Sequence, residues 1–323
     1  MFTVVTLSLY LFVLYSLPNR WFRDRDIYII YAENYDTFLK EDESFKQLIN
    51  EPLFSQIAGL FTNFPELFPT FMSLFIASIY FIFTFKLSKN FITFLLGFTL
   101  LIFNSYLIFQ QLFQLRQGLA TALFVIIFFS IKSLKFRVIL SCVLPFIHVS
   151  FFIITPIFIL YELYLKNIKS SKIMIMTSIG TIIFSLLSVT LMYIIGFRQA
   201  DLYESINEGK GGGSLLLHFI ILIYVYFFTN RENKKLFDWT IIGLSFFIFS
   251  YYIFPAAGRL FSSFYPFLLF HLISRSKYQD ITVLLIMNIV FITLFFTSGY
   301  LDMLTMDAYF FNIELENFIN KLF

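Results

Sequence analysis

A chain of 323 residues that is 59% hydrophobic, 22% aromatic and only 13% charged, with a mean hydropathy of +0.82, is not a soluble globular domain, whose charged share is about 25%. It reads as an integral membrane protein forming one polytopic domain, 1–323, because its apolar runs follow one another too closely to leave a water-soluble module between them. The net charge of +3 is uninformative as a total and gives no cause to expect a nucleic-acid partner.

In chain order, apolar runs bounded by charge or turn residues cover 2–17, 67–85, 91–109, 118–131, 136–147, 150–165, 173–195, 215–228, 236–254, 260–273 and 281–297. The first lacks a basic leader and a small-residue cleavage site, so it reads as a retained helix. The expected fold is all-α with about eleven transmembrane helices, although only some runs reach the roughly 20 residues a span wants. Runs 118–131 and 136–147 are short, about 21 and 18 Å as helices. Either the membrane is thinned there, or their outer ends lie recessed in a cavity.

Three segments stand apart as loops on one face. Residues 18–66 are rich in charge, and their second half, SFKQLINEPLFSQIAGLF, reads as an amphipathic interfacial helix. Residues 197–214 are polar and glycine-rich, and 299–323 alternate acids with aromatics. The opposite set of loops carries thirteen basic residues against four acidic ones, so it is expected to be cytoplasmic. The N-terminus is then inside and the three segments outside. Arg20, Arg23 and Arg25 run against this assignment, interleaved with Asp24 and Asp26.

Ionisable residues among the spans are the candidates for chemistry, because a charge at such depth usually faces water or ligand. Arg116 heads one apolar run and His148 closes the next, on the same side of the membrane, with Lys132, Lys135 and Arg137 between them on the other. Arg116 could instead snorkel to headgroups, and His148, close to Pro145 and Ser150, could simply pack. Arg259, in FPAAGRLFSSFYP, and Arg198, in GFRQ, belong to the same outer side. The planar fork of arginine suits phosphate oxygens, so these groups could clamp a lipid diphosphate. Candidate bases are Asp26, Asp36 and Glu51. Glu51 precedes Pro52 at a helix start, where simple capping is the plainer reading.

Other signals carry less. GKGGGS lacks the spacing of a phosphate loop. His148, His218 and His271 are scattered, no paired cysteines occur, and the lone Cys142 reads as a small packed hydrophobe.

The runs QLRQGLATALF and FIHVSFFIITPIF, the N-terminal RDRDIYIIY, the helix start NEPLF and the later GRLFSSFYPFLL resemble, in this order, segments of the EpsG-type exopolysaccharide polymerases, functional relatives of the Wzy O-antigen and capsule polymerases. Arg25 stands where that family usually has glycine. The resemblance implies a GT-C-like membrane glycosyltransferase facing outward from a bacterial cytoplasmic membrane. It would transfer a glycan from undecaprenyl diphosphate to another lipid-linked repeat unit, with no metal or cofactor needed, and could dock a chain-length regulator. It further implies Arg116, Gln117, Arg259 and Arg198 at the diphosphate, Tyr28 and Tyr31 at the glycan, and His148, Glu51 or Asp26 taking the proton. Rival readings are an O-antigen ligase-like transferase, which shares the clamp, and a flippase, whose charges should lie at the membrane centre. A membrane O-acyltransferase would need its histidine served from the cytoplasmic side.

Overall fold

A computed structural model describes residues 2–34, 51–195 and 211–297, and every regular element among them is helical. In chain order these are α1 (Phe2–Ser16), α2 (Arg25–Glu33), α3 (Pro52–Gly59), α4 (Leu67–Leu87), α5 (Phe91–Phe103), α6 (Ser105–Leu112) and α7 (Leu115–Ser130). They continue as α8 (Leu134–Ser141), α9 (Phe151–Leu160), α10 (Ser170–Ile195), α11 (Gly213–Phe228), α12 (Lys234–Ser250), α13 (Ala257–Ile273) and α14 (Tyr278–Thr297). By length and composition α4, α10 and α14 could each cross a membrane, and α5 with α6 could form a fourth, broken span. On α10 the side chains of Ile175, Ile179, Ile183 and Leu187 are all exposed. A long helix with such an apolar outer face is suited to lipid.

Two of the expected runs break. Run 91–109 bends by 61° at Asn104. The Asn104 side chain accepts from the Tyr106 N–H at 3.0 Å, capping a new helix where the old one ends. The Leu101 carbonyl at that break accepts from Gln111 Nε2 at 3.0 Å. Run 136–147 is not one helix either: α8 stops at Ser141 and a 3-10 turn, Leu144–Phe146, follows. Pro145 has no N–H to give the Ser141 carbonyl four residues back, and Thr155 Oγ1 donates to it instead, at 3.1 Å. Cys142, just beyond α8, is exposed and not packed inside as expected.

The chain forms two compact units, one of residues up to Thr155 together with those from Leu272 on, the other Pro156–His271. In the first, α4 is the centre, touching α1, α2, α5, α6 and α7. Its buried Phe68, Met72, Ile76, Tyr80 and Phe83 recur at helical spacing. Tyr80 donates to the side-chain oxygen of Gln110 of α6, and Tyr10 of α1 donates to that of Gln111 at 2.5 Å, so both amide oxygens have a donor inside an apolar core. At Gly118 of α7 a Cβ would lie 2.2 Å from the Gln110 carbonyl oxygen, so glycine alone lets α7 cross α6 this closely.

In the second unit α12 is buried almost all round, packing on α10 and α11. Trp239 rests against Phe158, Phe264 and Phe267. Its N-terminal turn holds two ion pairs, Lys235 with Glu162 at 2.7 Å and Lys234 with the fully buried Asp238. Tyr161 adds a donor to Asp238 at 3.1 Å. Each buried carboxylate thus has a cation, as burial of charge requires.

Candidate functional site

Arg116 and His148 meet at Glu51. Arg116, on the first turn of α7, donates to Glu51 Oε2 at 2.7 Å. The backbone N–H of Val149 donates to Glu51 Oε1 at 3.0 Å, and His148 Nε2 lies 3.7 Å from the same oxygen. The Glu51 side chain is 6% exposed, whereas that of Arg116 is 35% exposed, so the carboxylate is the buried hub and the guanidinium its open edge.

Local sequence explains how each group is held. Glu51 precedes Pro52, which bars it from the right-handed helical region, and it adopts a left-handed φ of 57° instead. For a non-glycine residue this costs about 1–3 kcal/mol and persists only where surrounding contacts over-determine it. The Arg116 and Val149 bonds are such contacts. They also oppose burial, which pushes the Glu51 carboxyl above the ordinary carboxylate range despite the pull of Arg116 and the Val149 N–H. Helix α3 itself packs on α2 and on the Leu144–Phe146 turn, which brings Glu51 to residues 148 and 149.

Helix α2 supports Arg116 from the other side. The rings of Tyr28 and Tyr31 each stand 5.8 Å from its guanidinium carbon, within cation–π range. Burial pushes the Tyr28 phenol up to about 12, so it remains a donor, and it bonds the Phe113 carbonyl at 2.9 Å. Arg25 Nε bonds the adjacent Leu112 carbonyl at 2.7 Å and its Nη1 bonds Asn19 Oδ1 at 2.9 Å. Together they cap the end of α6 and set the elbow from which Arg116 projects. The imidazole of His148 is fixed by Ser150, whose N–H donates to Nδ1 at 3.3 Å while its hydroxyl lies 2.7 Å away. Nδ1 is thereby an acceptor, and the neutral ring carries its hydrogen on Nε2, facing Glu51.

The other sequence candidates are placed differently. Gln117 is buried behind Arg116, while Asp26 is exposed on the first turn of α2 and is not among the groups that touch the Glu51 carboxylate. Arg259 is exposed on the first turn of α13, in the second unit. Arg198 and Asp36 lie outside the described residues, as do segment 197–210 and the tail beyond 297. So does the first part of the expected amphipathic helix, of which α3 is the described end. The Val149 N–H and the capping role of Arg25 were not foreseen. The pairing of Ser150 with His148 had a visible signal in their spacing.

Among the described residues no three His, Cys, Asp or Glu side chains group closely enough to hold a metal ion. No curated protein and no solved structure shows a significant match to the chain. The model of the EpsG family, however, matches residues 2–315, which takes in every element that builds the Glu51 site. This chain belongs to the EpsG family.

Proposed function

We propose that this protein is an exopolysaccharide polymerase that transfers a growing glycan from undecaprenyl diphosphate to the non-reducing sugar of a second lipid-linked repeat unit. It would act at the outer face of the bacterial cytoplasmic membrane, within a GT-C-like arrangement of about eleven spans. The observation that carries this reading is the convergence of Arg116 and His148 on one buried carboxylate, beside two tyrosines. Family membership supports the class of reaction.

In the reaction the acceptor hydroxyl oxygen forms a bond to the anomeric carbon of the donor sugar. The bond from that carbon to the diphosphate oxygen breaks, and its electron pair leaves with the diphosphate. Arg116 stabilises the charge that develops there, an electrostatic contribution that grows as the bond breaks. The hydroxyl proton needs a base within hydrogen-bond reach. With Nδ1 of His148 engaged by Ser150, its Nε2–H is a donor suited to a phosphate oxygen, and Glu51 is the better proton acceptor. Its raised proton affinity suits that role. Tyr28 and Tyr31 would offer ring faces to the sugar. Arg259 is a separate candidate for the diphosphate, judged by its own variant.

In cells making the polymer, Arg116→Ala is expected to abolish the ladder of glycan lengths while single repeat units still reach the outer surface. A normal ladder from that variant would remove Arg116 from the reaction. Arg259→Ala is read in the same way for its own residue.

A further inference from the structure

The Glu51 carboxylate occupies a seat with the chemistry of a phosphate site. Two oxygens receive a guanidinium N–H at 2.7 Å and a backbone N–H at 3.0 Å, with an imidazole nitrogen 3.7 Å away. The backbone donor belongs to Val149, two residues ahead of α9, in the turn that leads into that helix. Arginine with a backbone N–H is a donor set that serves phosphate as well as carboxylate. The partly exposed Arg116 opens one side of the seat, whereas Glu51 fills it from the buried side.

We propose that Glu51 is a displaceable stand-in for substrate: one phosphate of the donor diphosphate takes its place on Arg116, the Val149 N–H and His148, and the released carboxylate then becomes the base. This rests on the reading of the site as one that handles a diphosphate, and it adds an order of events. In the resting chain the tie to Arg116 holds back part of the rise in proton affinity that burial gives the carboxylate. When phosphate takes over the guanidinium, that tie is lost, and the carboxylate, still buried, binds a proton more readily. The base is thereby switched on only where a donor is bound.

The exchange has a consequence that mere support of Arg116 by Glu51 would not have. If carboxylate and phosphate compete, removing the carboxylate strengthens phosphate binding even though it removes the base. The charged and titratable groups facing Glu51 are Arg116 from α7, His148 from the turn before α9 and Tyr28 from α2. All three remain in Glu51→Gln, so their titration, and that of pyrophosphate itself, is common to both proteins.

The test is calorimetric titration of inorganic pyrophosphate into the full chain in nanodiscs, as wild type, Glu51→Gln, Glu51→Ala and Arg116→Ala. Glu51→Gln is expected to bind about five- to tenfold more tightly than wild type at neutral pH, the worth of one partly buried ion pair. That gap should close as the pH falls and the wild-type carboxyl takes up its proton. Glu51→Ala should show the same gain, which covers the case of a misfolded glutamine variant. Arg116-dependent binding that is equal or weaker in the Glu51 variants, or a gap that does not change with pH, overturns the exchange alone. Absence of Arg116-dependent pyrophosphate binding in every variant overturns both the exchange and the diphosphate reading beneath it.

Discussion

Replacement of Gly118 by alanine tests whether the elbow between α6 and α7 presents Arg116 as described. A Cβ at that position would stand 2.2 Å from the Gln110 carbonyl oxygen and 2.9 Å from Ile76 Cδ1. The isoleucine methyl can turn aside, but the carbonyl is backbone and cannot. An ordinary contact requires a separation larger by about 1 Å, so α7 must draw away from α6. Overpacking of this kind costs about 1–3 kcal/mol, against which alanine returns about 1 kcal/mol of helix propensity. The net loss of stability is therefore small, about 0–2 kcal/mol. Arg116 lies two residues upstream, however, and a displacement of about 1 Å at a positioning group can lower a rate about 100-fold. Gly118→Ala should thus remain folded in a thermal melt and yet form far less long polymer on a glycan gel. Gly180→Ala on α10, where a Cβ meets nothing within 4 Å, is the control and should be neutral or slightly stabilising. A wild-type polymer ladder from Gly118→Ala would refute the close crossing and its role in aiming Arg116.

Tyr28→Phe removes the hydroxyl, with its bonds to the Phe113 carbonyl and to Arg116, but keeps the ring over Arg116, so it should lower stability by about 1 kcal/mol and retain part of the activity. Tyr28→Ala, lacking both, should lose polymerisation; equal effects of the two variants in the glycan ladder would deny the ring a part in holding Arg116. Asp238→Ala leaves the Tyr161 hydroxyl without its acceptor while Lys234, already partly exposed, turns to water. A loss of about 1–3 kcal/mol in a thermal melt is expected, and an unchanged melt would show that this buried cluster contributes nothing to the second unit. Cysteine placed at Lys169 should resist a membrane-impermeant label applied from outside, and its labelling would reverse the proposed orientation.

The sequence and the structure agree most where composition and long apolar periodicity decide the outcome. The runs at 67–85 and 281–297 emerge as α4 and α14 almost as drawn. The breaks were less legible, because a strong apolar average hides single residues. Asn104 interrupts a run that is hydrophobic on both sides, and only its capping bond to Tyr106 reveals why the helix must restart. Pro145 was visible, yet its effect depends on Thr155 taking over the Ser141 carbonyl, which is a contact between distant turns.

The candidate site shows the same division. Glu51, Arg116 and His148 were each legible as ionisable groups at the ends of apolar runs. Their meeting was not, since Glu51 and Arg116 are 65 positions apart and no periodicity links them. Arg25 illustrates a charge read for the wrong purpose. As a residue flanking the first span it argued against the assigned orientation, whereas the folded chain buries it completely and uses it to bond the Leu112 carbonyl and Asn19. A cation held inside the protein in this way carries little weight in a count of flanking charges, which concerns side chains left in the loops.

The central claim, that this EpsG-family chain joins lipid-linked repeat units by displacing a diphosphate at the Glu51–Arg116–His148 site, is tested most directly with purified protein in nanodiscs and an undecaprenyl-diphosphate-linked repeat unit as the only substrate. Products lengthened by whole repeats are expected, with one undecaprenyl diphosphate released for each new linkage, and the loss of both in Arg116→Ala. Repeat units recovered unchanged from the wild-type protein, or elongation that persists undiminished in Arg116→Ala, would contradict it.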